Sequence, residues 1–304
     1  YIGGLEASLR RFAHYDYWSD QVMPSVLSSS GADALMYGMS ERSVVELAKN
    51  LKAGKHGIDA VRDIRGMAYF APDASDVPFP AVECPSYEQV CESKEDYARS
   101  VKTQYDQADH VRGKAITQVH GKRVLIQNPP SKPLTTEEMD KVYALPFART
   151  YHPSYDAVGG VPAIQEVQFS IIHNRGCFGA CNFCALAFHQ GRYISARSHD
   201  SVVREAEQIA QHPDFKGYIH DVGGPTANFR FPSCHHQEKH GLCMNKRCLF
   251  PKACDNLEAD HRDYLTLLRK LRQVPGVKKV FVRSGLRYDY MMADDNDEFF
   301  LALV

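Results

Sequence analysis

An α/β fold in two parts is what this sequence predicts, and three observations carry it. Strand-like apolar runs alternate with amphipathic helical runs along the chain. Two prolines and Gly159-Gly160 interrupt the alternation between Tyr151 and Pro162, a composition that suits a linker. The alternation then resumes with an apolar run, Val167 to Ile172, that ends on a loop carrying Cys177, Cys181 and Cys184. The expected parts are therefore 1–150 and 164–304, joined by 151–163.

In the first part, Glu6 to Trp18 reads as a helix with Arg10 and Arg11 on its solvated side. Ala34-Leu35-Met36-Tyr37 reads as a buried strand and Gly38 as its turn. Glu41 to Leu51 reads as a helix with Val44, Val45, Leu47, Ala48 and Leu51 as apolar positions, closed by Gly54. Repeated strand and helix units predict a parallel layer. Residues 72–95, rich in Pro, Asp and Ser, read as a loop, and Asp96 to His110 as a helix. Ile116 to Val119 and Arg123 to Gln127, joined through His120-Gly121-Lys122, read as a hairpin. Thr135 with Glu138 three residues on is a capping box that opens a short helix ending before Pro146.

In the second part the first strand delivers Cys177. Ser201 to His212 is a helix, Tyr218 to Val222 a strand, Arg262 to Leu271 a helix and Val277 to Arg283 a third strand. Functional residues of a parallel barrel sit at the C-terminal ends of its strands. Here those ends carry the cysteine loop, Gly223-Gly224-Pro225-Thr226 and Ser284-Gly285-Leu286-Arg287-Tyr288-Asp289.

Composition narrows the function. Lys and Arg number 36 against 37 Asp and Glu, a net charge of −1, so no global field advertises a nucleic-acid or membrane partner. No apolar run approaches a membrane span. Nine cysteines, an odd number, without a secretory signal argue against a disulfide framework and for a cytoplasmic protein that uses metal.

Cys177, Cys181 and Cys184 put three thiolates within eight residues, one ligand short of closing a soft metal site. A structural zinc would need a fourth ligand, and His173 and His189 flank the loop. Cys234, Cys243, Cys248 and Cys254 form a second group in a segment rich in Lys, Arg, His and Pro. Four thiolates saturate one centre, either a second four-iron four-sulfur cluster or zinc, and His235, His236 or His240 can replace one of them. That segment has few apolar residues, so metal would supply its ordering free energy. Gly223 and Gly224 permit close backbone approach by a ligand, or simply make a tight turn. Arg287 offers a guanidinium fork to a carboxylate, the plainer reading being a surface ion pair with Asp289. Cys84 and Cys91 pair with nothing obvious.

The C-x3-C-x2-C loop, with Phe183 just before its third cysteine, resembles the signature of the radical S-adenosylmethionine (SAM) superfamily. The resemblance implies that the three cysteines hold three irons of a 4Fe-4S cluster whose fourth iron is chelated by SAM. It further implies that an electron passed into the cluster cleaves SAM to methionine and a 5'-deoxyadenosyl radical. Gly223-Gly224 stands where the superfamily has a Gly-Gly-Glu-type motif that meets the SAM amino group; Pro225 replaces the acid, so only the backbone role carries over. By the same resemblance, Phe183, Gly223, Gly224 and Arg287 are the expected cofactor contacts.

The whole chain resembles the YgiQ family of radical SAM proteins. The residues that carry this are Gly3 to Arg11 with His14 to Asp20, the Asn128-Pro129-Pro130 to Leu145-Pro146 stretch, Gly223 to Asn228 and the four-cysteine segment. The expected fold is then an N-terminal α/β domain like the cobalamin-binding-type layer, followed by a partial radical SAM (β/α) barrel. No Asp-x-His-x-x-Gly signature occurs, which counts against cobalamin. The chain opens on Tyr1 and stops at Val304 without a helix stop signal, so it reads as a fragment, expected to be inactive alone. Gly191-Arg192 and Arg197 loosely match methylthiotransferase-like relatives, with the first pair reversed. The substrate is unknown, and the reading leaves room for a reductant protein such as a flavodoxin. The competing function class is a zinc-stabilised binding module without catalysis.

Overall fold

The computed structural model describes residues 1–75 and 77–304. It divides into two compact units. The first comprises Tyr1–Pro133, Cys181–Arg192 and Glu238–Met244; the second comprises Leu134–Ala180, Tyr193–Gln237 and Asn245–Val304.

Five strands form the sheet of the first unit, in the order Ala34–Met36, Met67–Ala71, Arg123–Gln127, Ala115–His120, Ala81–Cys84. Three of the four pairings are antiparallel, and only Ala81–Cys84 with Ala115–His120 is parallel. The parallel layer expected from sequence is therefore corrected to a mixed sheet. One cause is the two-residue connection at Gly121-Lys122, which is far too short for a parallel crossover. Alternation along the strands sends Leu35, Ala68 and Leu125 to one face with Phe12, Leu27 and Tyr37. It sends Ala34, Met67, Tyr69 and Ile126 to the other with Leu47, Ala60, Val61 and Ile64.

The helix Glu41–Lys52 buries Ser43 and Leu47, while Val44 and Val45 are half exposed at 46% and 51%. The Ser43 hydroxyl donates to the Arg65 carbonyl at 2.7 Å on the same face that buries Leu47 in the core. Residues 72–95, expected as loop, contain the edge strand Ala81–Cys84 and the helix Tyr87–Glu92, opened by a capping box between Ser86 and Gln89. The expected helix from Glu6 stops early: Gly4–Leu9 is helical, and His14–Asp16 pairs with Gln21–Met23. Arg11, expected on a solvated side, is only 2% exposed.

In the second unit, the capping box at Thr135 and Glu138 is present in full and opens the helix Thr136–Tyr143. Val167, expected to open the apolar run of the first strand, closes the short helix Ile164–Val167, and the strand proper is Ser170–Ile172. Ser170–Ile172 pairs in parallel with Asp221–Gly223, and Tyr218–Ile219 pairs in parallel with Lys279–Val280. His220 N donates to the Phe169 carbonyl at 2.9 Å and Val222 N to the Phe281 carbonyl at 3.0 Å, so the pairs join into three parallel strands. Helices His199–Ala210 and Arg262–Arg272 form the crossovers. Val202, Ala206 and Ile209 of the first helix and Tyr264, Leu267 and Leu271 of the second pack against Ile171, Ile219 and Val222. Fully burying each of the larger of these side chains contributes roughly 1.5–3 kcal/mol. The molecule is thus α/β in both units, with the strand–helix–strand order of a partial (β/α) barrel in the second. Among the described residues no helix is long and apolar enough to cross a membrane.

Candidate metal and cofactor site

The three parallel strands deliver their C-terminal ends to one place in the second unit. After Ile172 the chain continues to His173 and Asn174, after Val222 to Gly223-Gly224, and after Val282 to Arg283-Ser284. Asp221 Oδ1 accepts the backbone N–H of Arg283 at 2.7 Å and of Ser284 at 3.2 Å, which ties the second and third ends together. Ser284 Oγ accepts the Gly224 N–H at 3.3 Å.

Both glycines are required by close approach. A Cβ on Gly223 would lie 1.6 Å from Ser284 Oγ, and one on Gly224 would lie 1.8 Å from Asn174 Oδ1 and 2.8 Å from the Asn174 carbonyl oxygen. At Gly223 the obstacles are side-chain atoms, Ser284 Oγ and Cβ and Asp221 Oδ2, whereas the Asn174 backbone cannot yield without shifting the first strand end. Gly224→Ala is therefore expected to cost about 1–3 kcal/mol of stability, measured by urea denaturation, and more than Gly223→Ala in a Ser284→Gly background.

Asn174 is fully buried; its Nδ2 donates to the Thr226 carbonyl at 3.2 Å, while its Oδ1 has no hydrogen-bond partner among the described residues. An orphaned buried acceptor costs about 1–3 kcal/mol unless a donor reaches it. His173, behind it, donates from Nε2 to the Ala227 carbonyl at 2.8 Å, so its Nδ1 is the acceptor for Arg230 Nη1 at 3.3 Å. Burial, with Arg230 close by, pushes the imidazole down to about 3. Neutral, and with both nitrogens engaged, His173 has none to offer a zinc ion.

Cys177 is buried beside this turn, its Sγ 3.2 Å from Thr226 Oγ1. Phe178 anchors the loop by stacking on Phe229 at 3.8 Å. Next to it, a Cβ on Gly179 would meet Arg287 Nη1 at 2.6 Å and Cys177 Sγ at 3.3 Å, so the Arg287 guanidinium rests on the backbone of the cysteine loop. Arg287 also donates from Nε to Asp289 Oδ1 at 2.8 Å, the ion pair the sequence offered as the plainer reading. That hydrogen bond is the main cause of a lowered Asp289 carboxyl pKa. Asn228 fixes the Arg287 backbone, Oδ1 accepting its N–H at 2.9 Å and Nδ2 donating to its carbonyl at 3.2 Å.

Cys181 and Cys184 belong to the first unit and are half-buried, joined in a turn by Cys184 N–H to the Cys181 carbonyl at 3.1 Å. Phe183 between them is 92% exposed. In the second group, Cys234, Cys248 and Cys254 fall in the second unit around buried Ser233. Cys248 Sγ lies 3.2 Å from Ser233 Oγ, Cys254 N–H donates to the Cys248 carbonyl at 2.9 Å, and Gln237 N–H donates to the Cys234 carbonyl at 3.1 Å. Cys243 is exposed and falls in the first unit, where the neighbouring Leu242 N–H donates to Asp109 Oδ2 at 2.8 Å. Among the described residues no three His, Cys, Asp or Glu side chains stand close enough together to hold a metal ion. Three soft thiols within eight residues are the donor type that iron–sulfur clusters take, and of the three Cys177 lies beside the glycine-lined turn.

Sequence reasoning missed Asn174 and gave no individual role to Thr226, Asn228 or Ser284, although it marked the runs that hold these three. Thr226 and Asn228 lie in the Gly-Gly-Pro-Thr-Ala-Asn run and Ser284 opens the run to Asp289; Asn174 carried no signal beyond its place at a strand end.

A family model described as Radical SAM N-terminal matches residues 1–170, and the chain belongs to that family. It is 57% identical over 302 residues to a UPF0313 protein of Clostridium botulinum (strain ATCC 19397 / Type A), covering 99% of this chain and 46% of that protein. It is 54% identical over 303 residues to a UPF0313 protein of Clostridium perfringens (strain 13 / Type A), covering 100% of this chain and 46% of that one. The chain thus spans about half the length of the curated relatives it matches. Among solved structures it has a TM-score of 0.34 and 17% identity to the radical S-adenosylmethionine methyltransferase TsrM of Kitasatospora setae, with cobalamin and a 4Fe-4S cluster bound. That match covers 73% of this chain and 30% of TsrM.

Proposed function

We propose that the chain is part of a radical SAM enzyme of the YgiQ type, with Cys177, Cys181 and Cys184 as the thiolate ligands of a 4Fe-4S cluster. The observation that carries the reading is the strand-end turn at Gly223-Gly224, where side-chain-free backbone and the unpartnered Asn174 Oδ1 lie beside buried Cys177. Membership of the Radical SAM N-terminal family supports it. When bound, cluster and SAM together supply the electron transfer that yields methionine and a hydrogen-abstracting 5'-deoxyadenosyl radical. The residues of this chain bind and orient. Three thiolates would leave one iron open to SAM, and the Gly223-Gly224 backbone, with Asn174 Oδ1 behind it, would meet the SAM amino group. Arg287, whose Nε and Nη2 both bond Asp289, would offer its fork to the SAM carboxylate in exchange for that partner, and exposed Phe183 would cover the cofactor edge. The substrate stays open, and a flavodoxin-like protein is the proposed electron donor.

Cys234, Cys243, Cys248 and Cys254 are proposed as a second, self-sufficient centre of iron or zinc. Cys243→Ala is expected to empty that centre while the SAM-induced change in the spectrum of the first cluster persists. Loss of that change with the first cluster intact would mean that the two sites are coupled.

Anaerobic reconstitution followed by iron, sulfide and zinc analysis tests the assignment. About four irons per chain for each cluster are expected; uptake of zinc alone would overturn it in favour of a zinc-stabilised binding module.

A further inference from the structure

The segment Cys181–Arg192 packs within the first unit, and its contacts converge on residues near the N-terminus. Ser8, 1% exposed, donates from Oγ to the Gly4 carbonyl at 2.8 Å. Its hydroxyl proton is thereby used, so Ser8 Oγ accepts from Gly38 N–H at 3.0 Å and from His189 Nδ1 at 3.0 Å. That assigns the Nδ1–H tautomer to His189. Gly38, at φ +72°, admits the His189 carbonyl oxygen 3.3 Å from where a Cβ would stand, so helix Leu186–Gln190 rests directly on its backbone.

Arg11 completes the clasp. Its Nε donates to Gln127 Oε1 and its Nη1 to the Ser8 carbonyl. Its guanidinium lies 4.7 Å from the Phe188 ring centroid and 4.8 Å from that of Tyr37. Burial pushes its pKa down to about 10, and the group that partly offsets this is the Tyr37 hydroxyl. A buried charge held this way contributes little net stability, and an apolar side chain of similar volume would serve a core as well or better. What only the planar fork achieves is one simultaneous link between the first helix, the sheet and an aromatic ring of this segment. The far end is pinned too, with the Arg192 guanidinium 4.6 Å from the Tyr105 ring centroid. Cys184 stands four residues before Phe188, just ahead of the helix, in the turn that also carries Cys181.

We propose that Ser8 and Arg11 are positioning residues for Cys181 and Cys184, holding through Phe188 and His189 the segment that carries both thiols. The proposal rests on the reading of these cysteines as cluster ligands. It gives the Gly3-to-Arg11 run a physical role, the presentation of two ligands in fixed conformation, so that metal binding does not have to order them.

Amide hydrogen exchange and iron content, measured on the same samples, test it. In Arg11→Met, exchange of residues 181–192 is expected to quicken at least about tenfold while the strands Met67–Ala71 and Arg123–Gln127 keep wild-type protection. Iron after anaerobic reconstitution is expected to fall to roughly half or less. Arg11→Lys is expected not to restore either, because a point charge lacks the fork. His189→Ala, which removes only the ring that Ser8 holds, decides the case should Arg11→Met disturb the sheet, and a smaller shift of the same kind is expected. Wild-type exchange and iron in these variants overturn the proposal alone. A wild-type chain that takes up no iron overturns the cysteine reading and the proposal with it.

Discussion

Replacing Cys177, Cys181 or Cys184 singly with Ala is expected to remove about one cluster's worth of iron, roughly four atoms per chain, because each thiolate is an obligatory ligand. The three variants test different surroundings. Cys177 is buried between Thr226 and the Gly179 backbone, so its loss opens a small space at the strand ends. Cys181 and Cys184 are half-buried in a turn, and Ala at either position leaves the backbone bond between them intact. The mixed sheet of the first unit shares no ligand with the site, so its far-ultraviolet signal and strand protection are expected to stay at wild-type values. Iron content equal to wild type in all three variants would sink the radical SAM reading. Retention in Cys177→Ala alone would reassign the ligand set to Cys181, Cys184 and a residue outside the loop.

Where the chain obeys one strong local period, its structure was legible. Ala34–Met36 is an apolar run short enough to be only a strand, and the hairpin at Gly121-Lys122 is fixed by its two-residue connection. The Thr135 capping box marks a helix start with two reciprocal hydrogen bonds. The three parallel strands of the second unit were legible because helix and strand periods alternate there without interruption.

What failed depended on partners distant in sequence. Ala81–Cys84 gains its ladder from Ala115–His120, so nothing in its proline-rich surroundings announced a strand, although Ser86 and Gln89 carried a readable helix start. Val44 and Val45 are apolar but turned outward, because the helix buries the face that carries Leu47 and Ser43, the latter bonded to the Arg65 carbonyl. Arg11 sits inside because acceptors from Gln127 and Ser8 and two rings, from residues as far away as Phe188, surround it. At the site, cysteine spacing reveals donor chemistry but not which strand end holds an unsatisfied buried acceptor. Asn174 is visible only once Gly224 is seen to touch it.

The largest expected loss of stability comes from Glu205→Ala. Glu205, its side chain 9% exposed, pairs with both Arg197 and Arg149, whose side chains are 1% and 18% exposed. Arg197 further donates from Nη1 to the Ile172 carbonyl at 2.8 Å and from Nη2 to the Ser201 carbonyl at 3.0 Å, and stacks at 4.2 Å on Tyr143. These contacts occupy the guanidinium within the fold, so Arg197 braces the strand that leads to the cysteine loop instead of presenting itself to a substrate. Deleting the shared carboxylate leaves a guanidinium buried without its counter-charge, at a cost of about 3–5 kcal/mol. A typical domain has only about 5–15 kcal/mol in total, so the urea midpoint is expected to fall by a large fraction. Removing all three charges at once, with Glu205→Leu, Arg149→Met and Arg197→Met, is expected to recover much of the loss, since no unpaired ion then stays inside. The exposed pair of Arg283 with Glu166, 3.0 Å apart with side chains 58% and 68% exposed, supplies the control: Glu166→Ala is expected to leave the midpoint unchanged. A Glu205→Ala midpoint no lower than that of the control would show that burial does not hold these charges as described.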